Sequence, residues 1–264
     1  MHLYLYSFEH PLTGDPAGIT TYAALLFLGV ACAIGVSVLL GMRRGLASFD
    51  VFAAMLLAFA TGLVGARVLY LIIHGGEVIS RGGWQSLFVS GGGLIWYGGA
   101  LAGLATFALY CRGYGLPVAR MLDVGSVGAA TGQAFGRIGC FTAGCCHGKP
   151  APDGLPAVMF PTESLAPSGI GLHPVQLYEA ALLFLLAVFL SLAIILRRSW
   201  PNGFIALFYV SGYAVLRFFT EMLRGDHRGP ELAGLSVSQT ISLALLVAAL
   251  LAWVGLSCRK SAIS

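Results

Sequence analysis

About seven long apolar stretches leave this chain few options. They run over approximately 18–41, 51–73, 88–111, 121–142, 174–196, 203–223 and 235–257. Crossing roughly 30 Å of hydrocarbon takes about 20 apolar residues, so each stretch is long enough to span a bilayer, and together they use up most of the 264 residues. Charged residues make up 10% of the chain and hydrophobic ones 58%, whereas an ordinary soluble domain is about 25% charged. The expected fold is an all-α polytopic membrane protein of about seven transmembrane helices. It forms a single integral membrane domain over residues 1–264 with one long external loop at 143–172.

Orientation follows from positive charges near the span ends. One set of loops carries Arg43, Arg44, Arg112, Arg120, Arg197, Arg198, Arg259 and Lys260; the opposite set carries Arg81, Lys149, Arg224 and Arg228. The richer set reads as cytoplasmic, which places the N-terminus outside and the C-terminus inside. The first 17 residues contain no Lys or Arg, and the first apolar run is followed by Arg43 and Arg44, so that run reads as a retained helix rather than a cleaved signal peptide. No basic run with interleaved aromatics is present, which excludes nucleic acid as an expected partner.

The fourth span, MLDVGSVGAATGQAFGRIGCF, has glycines at 125, 128, 132, 136 and 139. Their spacing of three or four residues puts all five on one helical face, able to approach another helix closely. Asp123, Gln133 and Arg137 share the helix, and polar groups at membrane depth usually face a cavity or a partner. The third span begins SGGGLIWYGGALAG. Its clustered glycines are poor helix formers, which predicts irregular backbone over 88–99. Trp96 and Tyr97 then either line a cavity, where such backbone is tolerated, or belong to an interfacial aromatic belt.

In the sixth span, GYAVLRFFTEMLRGD puts Tyr213, Arg217, Glu221 and Arg224 on one helical stripe. Either the three charged residues satisfy one another structurally, or one carboxylate fails to neutralise two arginines and the surplus charge attracts an anion. The planar donor fork of arginine suits phosphate. Arg137 runs toward the same outer side, so a phospholipid phosphate could lie between Arg137 and Arg217. The fifth span begins HPVQLYEA, with Pro174 at a helix start and Glu179 inside an otherwise apolar span.

Cys140, Cys145, Cys146 and His147 are the one cluster of potential metal ligands. Their C-x4-C-C-H spacing lacks the two-residue gaps of zinc turns, and adjacent cysteines are expected to aim their side chains apart. No metal and no cofactor is expected. A disulfide from Cys140 to Cys145 or Cys146 and a free nucleophilic thiol beside Arg137 are the competing readings.

With these residues in place, the sequence resembles the bacterial prolipoprotein diacylglyceryl transferases over nearly its whole length. GRIGCF with GCCHG at 136–148, HPVQLYE at 173–179 and GYAVLRFFTEMLRGD at 212–226 carry the likeness. The resemblance implies an enzyme of the bacterial inner membrane with its active site toward the periplasm. It would move the diacylglyceryl group of phosphatidylglycerol to the thiol of a lipobox cysteine in a prolipoprotein signal peptide, releasing glycerol phosphate. Its partners would be that lipid, that peptide and the surrounding membrane lipid. It also implies catalytic roles for Arg137, Arg217, Tyr97 and Glu221. Substrate-binding positions would be Tyr22, Asp123, Gly98, Gly139, Cys140, Gly148, Glu179, Tyr213 and Arg224. Two departures mark a divergent, cysteine-containing branch. Tyr97 stands where the family carries a histidine proposed as base, and GCFTAGC replaces GNFINGE, with Asn202 the only asparagine in the chain.

Overall fold

A computed structural model describes residues 4–9, 16–82, 93–196, 200–226 and 234–261. Among the described residues seven helices follow the apolar stretches closely. They are α1 (Thr21–Arg43), α2 (Ser48–Gly82), α3 (Trp96–Gly113), α4 (Val118–Ala143), α5 (Val175–Leu196), α6 (Phe204–Met222) and α7 (Val237–Ser261). Five of them, α1, α2, α5, α6 and α7, are long and apolar enough to cross a membrane. α3 and α4 carry the glycine-rich and polar stretches noted above. Large apolar side chains such as Ile72, Leu104, Leu185 and Leu251 remain exposed on the helix surfaces, as expected where the solvent is lipid rather than water.

One element lies outside the all-α expectation. Strands β1 (Tyr4–Glu9) and β2 (Pro16–Thr20) pair antiparallel immediately before α1. This short hairpin was not legible as a strand pair beside the much stronger apolar signal that follows it.

The chain divides into two compact units. One comprises Met1–Val36 and Leu122–Ser264, the other Ser37–Met121. Within the second unit α2 packs against α3 through glycine on both sides. A Cβ at Gly99 would come within 3.0 Å of the Gly62 carbonyl oxygen, and one at Gly103 within 2.8 Å of the Ala58 carbonyl oxygen. Gly98 is buried against the Gly65 backbone and the Leu69 side chain. The predicted irregular stretch is therefore shorter than its glycine content suggested. Residues 88–92 lie outside the described residues, Gly93 takes a left-handed φ of 87°, and the helix is already established at Trp96. Close helix contact outweighs the intrinsic cost of Gly98 and Gly99 in a helix. Trp96 and Tyr97 sit in the first turn of α3 and are exposed.

In the first unit, α6 contacts both α5 and α7. The glycine face of α4 meets α1: Gly132 faces Gly29 and Ala33, and Gly139 lies against Tyr22, while Gly136 faces open space. The connection between α4 and α5 has a small core of its own. Phe160, Ala166 and Leu172 are buried together with Phe141 and Val158 against them, and backbone bridges join Val158 to Leu172 and Phe160 to Ser168.

Replacing Gly103 with alanine is expected to push α2 and α3 apart and destabilise the protein by about 1–3 kcal/mol through overpacking. Gly113→Ala, with nothing within 4 Å of the new methyl, should leave the melting temperature in detergent unchanged or slightly raised. Equal melting temperatures for the two variants would contradict the glycine contact.

Candidate functional site

The three arginines singled out from sequence lie on one continuous chain of charges. Arg137 from α4 engages Glu179 of α5 through its Nε. The other oxygen of Glu179 accepts from Arg217 Nη1 at 2.8 Å. Arg217 pairs in turn with Glu221 one turn further along α6, and Glu221 lies 3.6 Å from Arg224 Nε. Arg224 then makes a two-pronged contact with Asp226, at 2.9 and 2.6 Å. Three guanidiniums alternate with three carboxylates. Glu179 is 1% exposed, so these charges compensate one another where water cannot.

This order revises the surplus-charge expectation. With Arg217, Glu221 and Arg224 considered alone, one positive charge is left over. Glu179 and Asp226 complete the charge pairing of Arg217 and Arg224, although Arg224 Nη1 is buried with no hydrogen-bond partner among the described residues. Arg217 and Arg224 are buried, but the Arg137 side chain keeps 19% of its surface exposed. Among the described residues no hydrogen bond or ion pair engages its two terminal nitrogens, so the outer half of its donor fork is open.

Hydroxyl groups complete the array. Thr220 Oγ1 donates to Glu179 Oε1 at 2.8 Å, Arg217 Nη2 donates to Ser238 Oγ at 3.2 Å, and Ser236 Oγ donates to Glu221 Oε1 at 3.0 Å. Sequence reasoning passed over Thr220, Ser236, Ser238 and Asp226. Thr220 and Asp226 sit inside the quoted 212–226 motif, and Thr220 is three residues from Arg217, a spacing that shares a helix face. Ser238 arrives from the first turn of α7 and Ser236 from the residue that caps it; Ser236 and Gln239 form a capping box, a local sign of a helix start that says nothing of Glu221.

Backbone, rather than side chain, fixes the Arg224 end of the array. Residues 147–149 pass between the end of α6 and the start of α5. Gly225 N donates to the His147 carbonyl at 3.0 Å, Lys149 N to Leu223 at 2.9 Å and Gly148 N to His173 at 3.1 Å. A Cβ at Gly148 would lie 2.6 Å from His173 Cβ, and one at Gly225 3.0 Å from Lys149 N. Only glycine permits this crossing, and the crossing holds Arg224 in place. Burial opposes the charge on Arg224, but its contact with Asp226 outweighs that and holds the guanidinium above its ordinary range.

The other predicted positions divide. Tyr22 lies on α1 against Gly139, and Tyr213 packs on α6 against the Ala134, Leu183 and Leu216 cluster. Asp123 has a different task. Its carboxylate accepts from Gly203 N at 2.9 Å and Ala206 N at 3.0 Å, capping the start of α6. Fourteen residues of helix separate it from Arg137, about 21 Å at 1.5 Å per residue, so it is not brought to the arginine array. Tyr97 and Gly98 belong to the second unit.

The cysteines also depart from expectation. Cys140, Cys145 and Cys146 form no disulfide, and their three sulfurs lie within 4.8 Å of one another. The prediction that adjacent cysteines aim apart fails because Gly144 and Cys146 both take left-handed conformations, with φ of 77° and 59°. Two such residues around Cys145 turn the chain back on itself. Gln176 Nε2 donates to the Cys145 carbonyl at 2.8 Å and anchors the turn to α5. A hydrogen bond from Cys140 favours the Cys145 thiolate, but the bond with Cys146 and burial outweigh it and push the thiol up to about 11. A spontaneously ionised nucleophile at Cys145 is therefore not supported.

Comparison with known proteins identifies the family. The family model described as prolipoprotein diacylglyceryl transferase matches residues 12–255. A phosphatidylglycerol–prolipoprotein diacylglyceryl transferase of Clostridium tetani is 37% identical over 227 residues, covering 86% of this chain and 88% of that protein. A second such enzyme, from Clostridium perfringens, is 33% identical with 88% and 89% coverage. One from Finegoldia magna is 32% identical with 87% and 88% coverage.

Because Glu179 joins two arginines, Glu179→Gln is expected to leave a buried positive charge uncompensated and cost about 3–5 kcal/mol, read as a lowered melting temperature in detergent. Asp123→Asn should cost less, in the range of about 0.5–2 kcal/mol for a weakened helix cap. A Glu179→Gln protein as stable as the parent would refute the pairing.

Proposed function

The chain belongs to the prolipoprotein diacylglyceryl transferase family, and from that premise we propose that it transfers the diacylglyceryl group of phosphatidylglycerol to the thiol of a lipobox cysteine in a prolipoprotein signal peptide. In this reading it works in the bacterial cytoplasmic membrane. Its N-terminus, the 143–172 loop and the arginine array face the periplasm, and its C-terminus lies in the cytoplasm. The open fork of Arg137 is the observation that carries the proposal.

The acceptor sulfur, as thiolate, attacks the glyceryl carbon esterified to phosphate. A carbon–sulfur bond forms, the carbon–oxygen bond to phosphate breaks, and glycerol phosphate departs with the electron pair. The thiol proton is lost. Negative charge thus grows on a phosphate oxygen as the bond breaks, and a preorganised cation there lowers the barrier because it need not reorganise. The terminal nitrogens of Arg137 offer two parallel donors to two phosphate oxygens, the geometry in which arginine binds phosphate best. Glu179 at Nε prevents the guanidinium from swinging away.

Arg217 is then a positioning residue. Held by Glu179 and Glu221, it fixes the carboxylate that aims Arg137. Glu221, Arg224 and Asp226 extend the same brace outward, and Gly148 secures its end. Tyr22, Gly139 and Tyr213 shape the surroundings of Arg137. Tyr97 takes the position of the family's proposed base. Its hydroxyl is assigned a hydrogen-bonding role toward the acceptor.

With labelled phosphatidylglycerol and a lipobox peptide, purified protein should yield a thioether-linked lipid. Arg137→Ala should lower turnover on the order of 10²–10³-fold and, because it takes one of two partners from buried Glu179, lower the melting temperature as well. Tyr97→Phe should lower kcat and leave the KM for phosphatidylglycerol unchanged. Full activity in Arg137→Ala would remove the phosphate assignment.

A further inference from the structure

The proposed transfer step assigns no charge or proton to Cys140, Cys145 or Cys146, yet the fold brings the three together. Cys140 is near the end of α4, and Cys145 and Cys146 lie just beyond it. Their sulfurs converge only because Gly144 and Cys146 adopt left-handed backbone. For Gly144 this is the ordinary way to end a helix. For Cys146 it is uncommon, and such a conformation persists only where the surroundings enforce it. The enforcing contacts are present: Gln176 holds the Cys145 carbonyl, Gly225 holds that of His147, and Ser164 packs under Gly144.

We propose that Cys140, Cys145 and Cys146 form a binding site for a thiophilic divalent metal ion of the zinc class. Sulfurs bound to one tetrahedral zinc lie about 3.8 Å apart, given a metal–sulfur distance near 2.3 Å. Three sulfurs already within 4.8 Å of one another reach that spacing with shifts of about 1 Å or less. A disulfide would require two of them to approach to about 2.05 Å and would leave the third unused. Binding displaces the thiol protons: one divalent ion and three thiols give a trithiolate complex of charge minus one and three protons.

The environment suits that charge. The guanidiniums of Arg224 and Arg137 both interact electrostatically with Cys146, and Arg137 also with Cys140. Donors to ligating sulfur are the outer contacts that orient such sites. All three cysteines are only half-buried, so an ion has a route in. Three protein ligands also leave one position of a tetrahedral ion for an external ligand, the pattern of catalytic rather than purely structural zinc.

The test uses the full-length protein in detergent, purified without a histidine tag and kept reduced with a non-chelating phosphine. Metal is added as zinc, or as cobalt(II) for its optical spectrum. The expected result is one metal per chain, a thiolate-to-cobalt charge-transfer band, and at least a tenfold loss of affinity in each of Cys140→Ser, Cys145→Ser and Cys146→Ser. Cys32→Ser should bind as the parent does. A second readout needs no variant. Zinc should shield Cys140, Cys145 and Cys146, but not Cys32, from maleimide, as mapped by mass spectrometry. A fully reduced parent protein that gives no charge-transfer band, or zinc that leaves the alkylation pattern unchanged, would overturn the site. Neither readout depends on transferase activity, so the result stands apart from the proposed function.

Discussion

The arginine array and the helices around it depend on keeping charged groups paired while they are buried. An arginine inside a membrane protein is costly unless a partner compensates it, and three arginines multiply the difficulty. The solution is alternation: Arg137, Glu179, Arg217, Glu221, Arg224 and Asp226 follow one another across α4, α5, α6 and the segment after α6. Each carboxylate between arginines touches one on either side. Removing an interior member affects both neighbours, which makes the array a brace rather than a set of separate contacts. The three helices and the crossing at Gly148 and Gly225 are arranged so that this brace closes.

A closed brace changes what each arginine can do. Arg217 is held by two carboxylates and by Ser238, and Arg224 by Glu221 and Asp226. Arg137 is bound at one edge only. The division of labour follows from which nitrogen the carboxylate takes: contact at Nε anchors the side chain and leaves the terminal pair without a carboxylate partner among the described residues. Gly136, with open space where a Cβ would be, keeps a side chain from crowding the neighbouring position. Phosphate recognition in the proposed reaction therefore rests on one arginine held rigid by its neighbours, in place of the two-arginine clamp that helix spacing alone suggested.

Much of the fold was legible because membrane helices carry a strong local signal. All seven apolar stretches correspond to helices, with ends differing mostly by a few residues. What was not legible depended on distant partners. Gly98 and Gly99 looked like helix breakers, since their role becomes clear only with Gly62 and Gly65 across the interface. Asp123 looked like a site residue because a buried carboxylate invites that reading, but the amides it caps are eighty residues away. Glu179 was noticed for its cost in an apolar span; that it bridges Arg137 and Arg217 needed three dimensions. The cysteine turn was misjudged for a local reason. Side chains of adjacent residues diverge in regular backbone, and nothing in the sequence marks Cys146 as left-handed.

The account stands or falls on where the lipid phosphate binds. A structure with phosphatidylglycerol bound, at a resolution that separates the guanidinium nitrogens, tests this most directly. The phosphate should sit on the terminal nitrogens of Arg137, with Arg217 still paired to Glu179 and Glu221. A phosphate lying between Arg137 and Arg217 with Glu179 displaced, or one bound away from Arg137, would contradict it.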